Sequence, residues 1–268
     1  MQFGYSTLAN PEASLSEAAT LAAEFGLTFV EVRSLGNTLD LPGYFRAHPG
    51  DSIIDSTIQV AGLGTSLVLT RAQPSDVETF LKFGELAVRL GASFLRVFGG
   101  GEPDVLQSPD ALAHAAKIVR SAREGLGRRN LQVDVLLETH DGFCSSASCL
   151  ALNRLLDQPL GILWDSHHTW KFVGETLEHT WAQLGPLIRH VHYKDSVVDP
   201  SSKSGFTYAL PGEGEFPTTK LVELLAAHDF QGGVSLEWER LWQPQLAPAA
   251  EPLRGFRKVL IQHGLQKV

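Results

Sequence analysis

The sequence predicts a closed barrel of eight parallel strands, each followed by a helix. Three observations carry that expectation. Short apolar runs alternate with amphipathic stretches along all 268 residues. Most amphipathic stretches bring their own start and stop residues. Four apolar runs in the second half end on a carboxylate or an imidazole. Strand–helix alternation implies a parallel sheet with helical crossovers. At this length an eightfold (β/α)8 barrel forms one domain, residues 1–268, and an open doubly wound sheet is the runner-up. No Gly-x-Gly-x-x-Gly follows the first strand, and Gly99-Gly-Gly101 does not supply one, so a dinucleotide site is not expected.

The elements follow in order. Phe3–Ser6 is a first strand. Ser14-Leu-Ser-Glu17 has capping-box spacing and opens a helix through Leu21, Ala22 and Phe25 that stops at Gly26. Thr28–Val32 is the second strand. Leu35–Gly50, rich in Gly and Pro, reads as a long loop. Asp51–Ala61 reads as a helix closed by Gly62 and Gly64, with a third strand at Leu67–Thr70. Ser75-Asp-Val-Glu78 has capping-box spacing for a helix ended by Gly91. Phe94–Phe98 is the fourth strand. Ser108-Pro-Asp110 opens a helix to about Gly125, with Pro109 in its first turn.

Leu131–Leu137 is the fifth strand and ends on Glu138; a helix follows over Ser145–Leu156. Leu160–Trp164 is the sixth and ends on Asp165, with His167, His168, Trp170 and Lys171 in the next loop. A helix at Glu175–Leu184 precedes the seventh strand, Leu187–Val191, which ends on His192. A helix at Pro217–His228 precedes the eighth, Val234–Leu236, which ends on Glu237. The last helix spans Ala250–His263.

Composition excludes several classes. Hydrophobic residues make up 43%, enough for a large core rather than a disordered chain. No apolar run reaches the roughly 18 residues that a spanning helix needs, so no membrane partner is expected. The N-terminus lacks a basic leader pattern, and the cytoplasm is the default expectation. The net charge of -8 argues against nucleic acid, whose binding rests on Lys and Arg contacts to phosphate. Cys144 and Cys149 read as free thiols, because a disulfide scaffold does not suit a chain of this size.

Glu138, Asp165, His192 and Glu237 carry the chemistry. At strand ends of a barrel they would converge on one face although far apart in sequence. Three carboxylates and an imidazole make a hard, oxygen-rich set, suited to a divalent ion such as Mn²⁺, Mg²⁺ or Co²⁺ more than to structural zinc. Without a cation, three such carboxylates would repel one another strongly. His140, two past Glu138, and Lys194, two past His192, share the parity of those ligands. His168 follows Asp165 by one turn, and Glu213 sits in the Pro211-Gly-Glu-Gly214 turn. These four are the expected substrate contacts, and each also has a plain structural reading. Asp195 divides evenly between loop structure and function. His190 is expected to face away from His192. Trp170 and Trp238 read as walls for a sugar ring or as packing.

Glu138, then Asp165-x-x-His168, then His190-Val-His-Tyr-Lys-Asp195, then Glu237, together with Pro211-Gly-Glu-Gly214, resembles the sugar phosphate isomerase/epimerase superfamily of xylose-isomerase-like TIM barrels. The likeness in architecture covers the whole chain; the specific motifs lie in residues 138–237. The resemblance implies one divalent metal ion (Mn, Mg, Co or Zn) held by Glu138, Asp165, His192 and Glu237, with His168 on the substrate. It implies that Glu138 and Glu237 act as the acid/base pair in a sugar isomerase or epimerase working through an enediolate. A sugar or sugar phosphate is the implied partner, and dimers or tetramers are the superfamily's habit. The sequence departs from the pattern where an arginine often follows the seventh-strand histidine: Lys194 stands nearest, and the next arginine is Arg240.

Three other functions compete. A lyase dehydrating a keto-inositol-type substrate needs the same enolate chemistry and then loss of hydroxide. A non-catalytic sugar-binding homologue would keep the pocket without turnover. An AP-endonuclease-like hydrolase needs several zinc ions and more histidines, yet the third and fourth strand ends read Leu69-Thr70-Arg71 and Val97-Phe-Gly99.

Overall fold

A computed structural model describes residues 1–52, 57–102 and 104–267. Its strands are β1 Gln2–Ser6, β2 Phe29–Val32, β3 Gln59–Val68, β4 Phe94–Phe98, β5 Asp134–Glu138, β6 Gly161–Asp165, β7 Ile188–Tyr193, β8 Asp195–Val198, β9 Phe206–Ala209 and β10 Gly233–Leu236. Its helices are α1 Leu15–Glu24, α2 Leu41–Ala47, α3 Pro74–Leu90, α4 Pro109–Arg128, α5 Ser146–Asn153, the short turn α6 Ser166–His168, α7 Leu177–Leu184, α8 Thr218–Ala227 and α9 Ala250–Gln262. Eight strands close in the order β1-β10-β7-β6-β5-β4-β3-β2, every neighbouring pair parallel. β8 and β9 form a separate antiparallel hairpin between β7 and α8.

Alternation along each strand sorts the side chains into two environments. Val30, Val32, Leu95, Val97, Leu137, Ile162, Trp164, Val191 and Leu236 are buried in the main core. Tyr5 belongs with them, and its hydroxyl donates to the Ala18 carbonyl on α1 at 3.0 Å. The intervening residues face the barrel axis. At its amino end the rings of Phe29 and Phe94 lie 5.5 and 4.9 Å from that of His190. Phe94 also joins Leu136 and Leu163 in a small separate apolar cluster. Gly4, Gly62 and Gly233 leave the room these rings need, because a Cβ at each would overlap Phe29, Phe94 or His190. Above this plug the inward side chains turn polar.

The helix signals acted as expected at α1, where Ser14 and Glu17 form the reciprocal capping box. Three expectations need correction. The helix placed over Asp51–Ala61 does not reach Ala61, because Gln59–Val68 is the long strand β3; residues 53–56 of that stretch lie outside the described residues. Gly62 and Gly64 are inward strand positions rather than helix stops. The loop at Leu35–Gly50 contains α2, opened by Asp40, whose carboxylate accepts from the Gly43 amide at 3.0 Å. α3 starts at Pro74, not Ser75: Asp76 accepts from the Gln73 amide at 2.7 Å. Both cysteines are free and buried. Among the described residues no helix is long and apolar enough to cross a membrane.

The plug yields a paired prediction. Gly4→Ala forces a methyl against the Phe29 ring and its carbonyl oxygen. Urea denaturation should show a loss of about 1–3 kcal/mol or more, as overpacking of a tight core does. Gly127→Ala, in α4 with open space around it, should be neutral or stabilising by up to about 1 kcal/mol.

Candidate metal centre and active site

Strand geometry brings four distant residues together at the carboxyl end of the barrel. Glu138 closes β5, Asp165 closes β6, His192 lies near the end of β7, and Glu237 follows β10 directly. Each offers one ligand atom within 4.8 Å of the others. All four are at most 6% exposed. His192 Nδ1 stands 3.1 Å from Glu237 Oε2 and 3.5 Å from Glu138 Oε1. In ring order β7 and β6 separate β10 from β5, so the two glutamates approach the common point from different directions.

Charged neighbours hold each carboxylate. Arg96 Nε lies 3.0 Å from Glu138 Oε2, and its Nη1 donates to the Thr65 carbonyl at 2.9 Å. Lys194 Nζ lies 2.8 Å from Asp165, 2.7 Å from Glu237 and 2.6 Å from Glu239. It also lies 3.1 Å from His168 Nε2. Asp165 is fixed on its backbone side as well, accepting from the His168 amide at 2.9 Å.

The field follows from these contacts. Burial pushes Glu138 up, but Arg96 and His192 outweigh it and hold the carboxyl at about 2. Burial is likewise overcome at Glu237, where His192 and Lys194 keep the group well below the usual range. Burial opposes the Lys194 ammonium, yet Asp165, Glu237 and Glu239 hold it well above its ordinary value. At His192 burial is outweighed by Glu237, Glu31 and Glu138, which raise it. Burial and Lys194 together pull His168 down to about 3, so its imidazole is neutral.

The other expected residues divide. His140 is half-buried, 2.8 Å from Asp141, and its ring centre is 4.9 Å from that of His168. His168 and Lys194 belong to the cluster. Glu213 does not: it is exposed on its turn, and no hydrogen bond or ion pair of its carboxylate occurs among the described residues. Asp195 is structural. Its carboxylate accepts from the amides of Ser196, Gly212, Gly214 and Phe216 and so pins that turn. His167 bridges to Ser196 at 2.7 Å, and Trp238 donates to the Ala247 carbonyl at 2.9 Å.

His190 corrects an expectation. Residues two apart on a strand face the same side, so His190 points inward beneath His192. It meets Ser235 Oγ at 2.7 Å and Glu31 at 3.1 Å. Glu31 is the main residue the sequence reading missed. Its carboxylate lies 2.8 and 3.0 Å from His192 Nε2 and accepts from the Ser235 hydroxyl at 2.8 Å. An acid inside the apolar run Phe29-Val-Glu-Val32 was the available signal. Burial raises Glu31, but His192 and His190 outweigh it and hold the carboxyl far below the usual range. Arg33, just past β2, and Arg96, on β4, are also buried and inward-facing.

The residues present fit a divalent ion. Among the described residues, Glu138 Oε2, Asp165 Oδ2 and His192 Nδ1 are buried without a hydrogen bond of good geometry. Three oxygens and one imidazole nitrogen form the donor set of a hard or borderline ion. Glu31, on the far side of the ring, fixes which nitrogen faces the cluster: it accepts from Nε2–H and leaves Nδ1 toward the carboxylates, where an ion would take the place of the proton they favour. Glu31, His190 and His192 also lie close enough to share an ion, but hydrogen bonds already satisfy that group.

Comparison with known proteins agrees with this architecture. A search of curated protein sequences found no match. Among solved structures the chain is similar to the probable 3-DHS dehydratase AsbF, involved in petrobactin synthesis in Bacillus anthracis. The TM-score is 0.79 and the identity 21%, over 97% of this chain and 99% of that one. It is similar to the IOLI protein, whose structure has a binding zinc atom, at TM-score 0.73 and 15% identity, over the full length of both chains (100% each). It is similar to a D-psicose 3-epimerase determined in the presence of D-fructose, at TM-score 0.69 and 14% identity, over 98% of each chain. Identities this low establish a shared fold. Residues 19–259 match the family described as xylose isomerase-like TIM barrel, and the chain belongs to that family.

Proposed function

We propose that the protein is a divalent-metal-dependent isomerase or epimerase of a polyhydroxy carbonyl compound, a sugar or sugar phosphate. The observation that carries this reading is the buried convergence of Glu138, Asp165, His192 and Glu237, each with a possible ligand atom within 4.8 Å of the others. These four residues would hold the ion. When bound, it would draw electron density from a carbonyl and a neighbouring hydroxyl and acidify the adjacent C–H.

The remaining work belongs to side chains. One of Glu138 and Glu237 removes the proton from that carbon, and the other returns one to the opposite face, inverting the centre. Their placement at the ends of β5 and β10, with β6 and β7 between them in the ring, supports delivery from different directions. Arg96 and Lys194 keep both glutamates ionised and oriented at rest, as a base must be before it acts; the one that protonates the opposite face first takes up a proton from solvent, and the one that removed a proton later releases it there. His140, His168 and Lys194 line the same cluster and would contact the substrate's hydroxyl and carbonyl oxygens.

A second reading is dehydration of a keto polyol. Its support is the Lys194–His168 pair, an ammonium 3.1 Å from a neutral imidazole beside Asp165. Such a pair can protonate a departing hydroxyl after the C–H bond breaks. The structural similarity to a probable dehydratase is consistent with it.

Incubating metal-repleted protein in deuterated water with a panel of ketoses and keto polyols separates the two. Epimerisation gives a diastereomer with deuterium at one carbon; dehydration gives a product lighter by one water. Glu237→Gln should lower turnover by about 10²–10⁴-fold with the fold unchanged by circular dichroism. Wild-type rates in that variant would refute the acid/base pair. Asp165→Ala should cut metal content per chain, measured by elemental analysis; an unchanged ratio removes Asp165 from the ligand set. Glu31→Ala should weaken metal binding by about 10–100-fold, the usual effect of losing a group that orients a metal-binding histidine. Metal titration followed by calorimetry reads that change directly.

A further inference from the structure

The inward-facing charges are unevenly distributed around the barrel mouth. Glu138, Asp165, His192, Lys194 and Glu237 occupy the half formed by β5, β6, β7 and β10. The facing half carries Glu31, already engaged by His192, His190 and Ser235, and two arginines, Arg33 just past β2 and Arg96 on β4. They flank Gly64 on β3, whose missing side chain makes the space: a Cβ there would come 2.6 Å from Arg33 Cδ and 2.9 Å from Arg96 Nη2.

The two arginines differ in one respect. Arg96 is paired with Glu138 at 3.0 Å. Arg33 is 5% exposed, and among the described residues its guanidinium donates to neutral acceptors, the Gly64 carbonyl at 3.3 Å and Ser66 Oγ at 3.1 Å. Among the described residues no carboxylate comes within ion-pair distance of it. Lys194, equally buried, has three. A buried cation without a counter-charge is costly, and here a second guanidinium adds repulsion. Burial, then Arg96, accordingly pulls Arg33 down to about 9. Arg33 is linked to the cluster through Arg96, which shares the space beside Gly64 with it and pairs with Glu138.

We infer that Arg33 is the anion-binding half of the substrate site, and that the substrate carries a carboxylate or phosphate group at the end opposite its reacting carbonyl. The inference rests on the active site proposed above and specifies the substrate's chemical class. Arg33 supplies the missing ion pair only when such a substrate is bound. The loop after β7, where barrel enzymes often bind phosphate, is not built for that task. Ser201 bonds to Asp199, and Ser202 to Ser204 and the Phe206 carbonyl, while Lys203 is exposed.

The test uses three probes with one carbon skeleton: sorbitol, gluconate and sorbitol 6-phosphate. Calorimetry on full-length protein of measured metal content should show one or both anions binding at least about tenfold tighter than sorbitol, the effect of a charge-assisted pair. The stronger anion identifies the group. Arg33→Met should reduce the preference to within about twofold while metal content stays at the wild-type level. Equal binding of sorbitol and the anions, no anion binding at all, or an undiminished preference in Arg33→Met would each overturn the inference. The wild-type comparison stands even if the variant fails to fold. Absence of metal would instead count against the proposed metal centre, and the anion preference would still be read.

Discussion

Mutual repulsion of buried carboxylates governs this molecule. Ligand atoms of Glu138, Asp165 and Glu237 lie within 4.8 Å of one another, out of contact with bulk water. At an effective dielectric constant of about 20, each such pair costs about 3.5 kcal/mol. A packed barrel cannot relax that by moving strand ends apart, because the strands are hydrogen-bonded into a closed ring. Positive charge must enter instead. Arg96 and Lys194 supply part of it, and His192 is driven toward its protonated form by the same field. A site with this demand suits a divalent ion in a way that scattered surface acids do not.

The barrel and the four convergent residues were legible because they rest on local signals. Alternation named the strands, and a polar residue at the end of an apolar run named each member of the cluster. Glu31 was not legible in the same way. It lies within an apolar run rather than at its end, and only strand parity, applied across the ring, shows that it faces His192. The same parity rule places His190 inward. Gly62 and Gly64 mimicked helix stops because a glycine that ends a helix and one that makes room for Phe94 or Arg33 look alike in sequence. Arg33 is distinguished by what stands near it in space. The sequence shows a cation, and the fold shows that its hydrogen-bond acceptors are neutral.

Fold and site are joined most directly by Glu31 and His192. Glu31 belongs to β2 and His192 to β7, with β1 and β10 between them in ring order. Their 2.8 Å contact therefore spans the lumen rather than following a sheet ladder. In an open sheet with the same strands these side chains would lie three strand spacings apart, roughly 14 Å. Closure brings them together, and the aromatic plug beneath supports them at the required height. The hydrogen bond then selects the His192 tautomer and leaves Nδ1 facing the carboxylates. Thus a topological property of the whole chain determines which nitrogen is available to an ion. Substitutions far from the cluster that loosen the ring, at Gly4 or Gly62, should act on the site through this one contact.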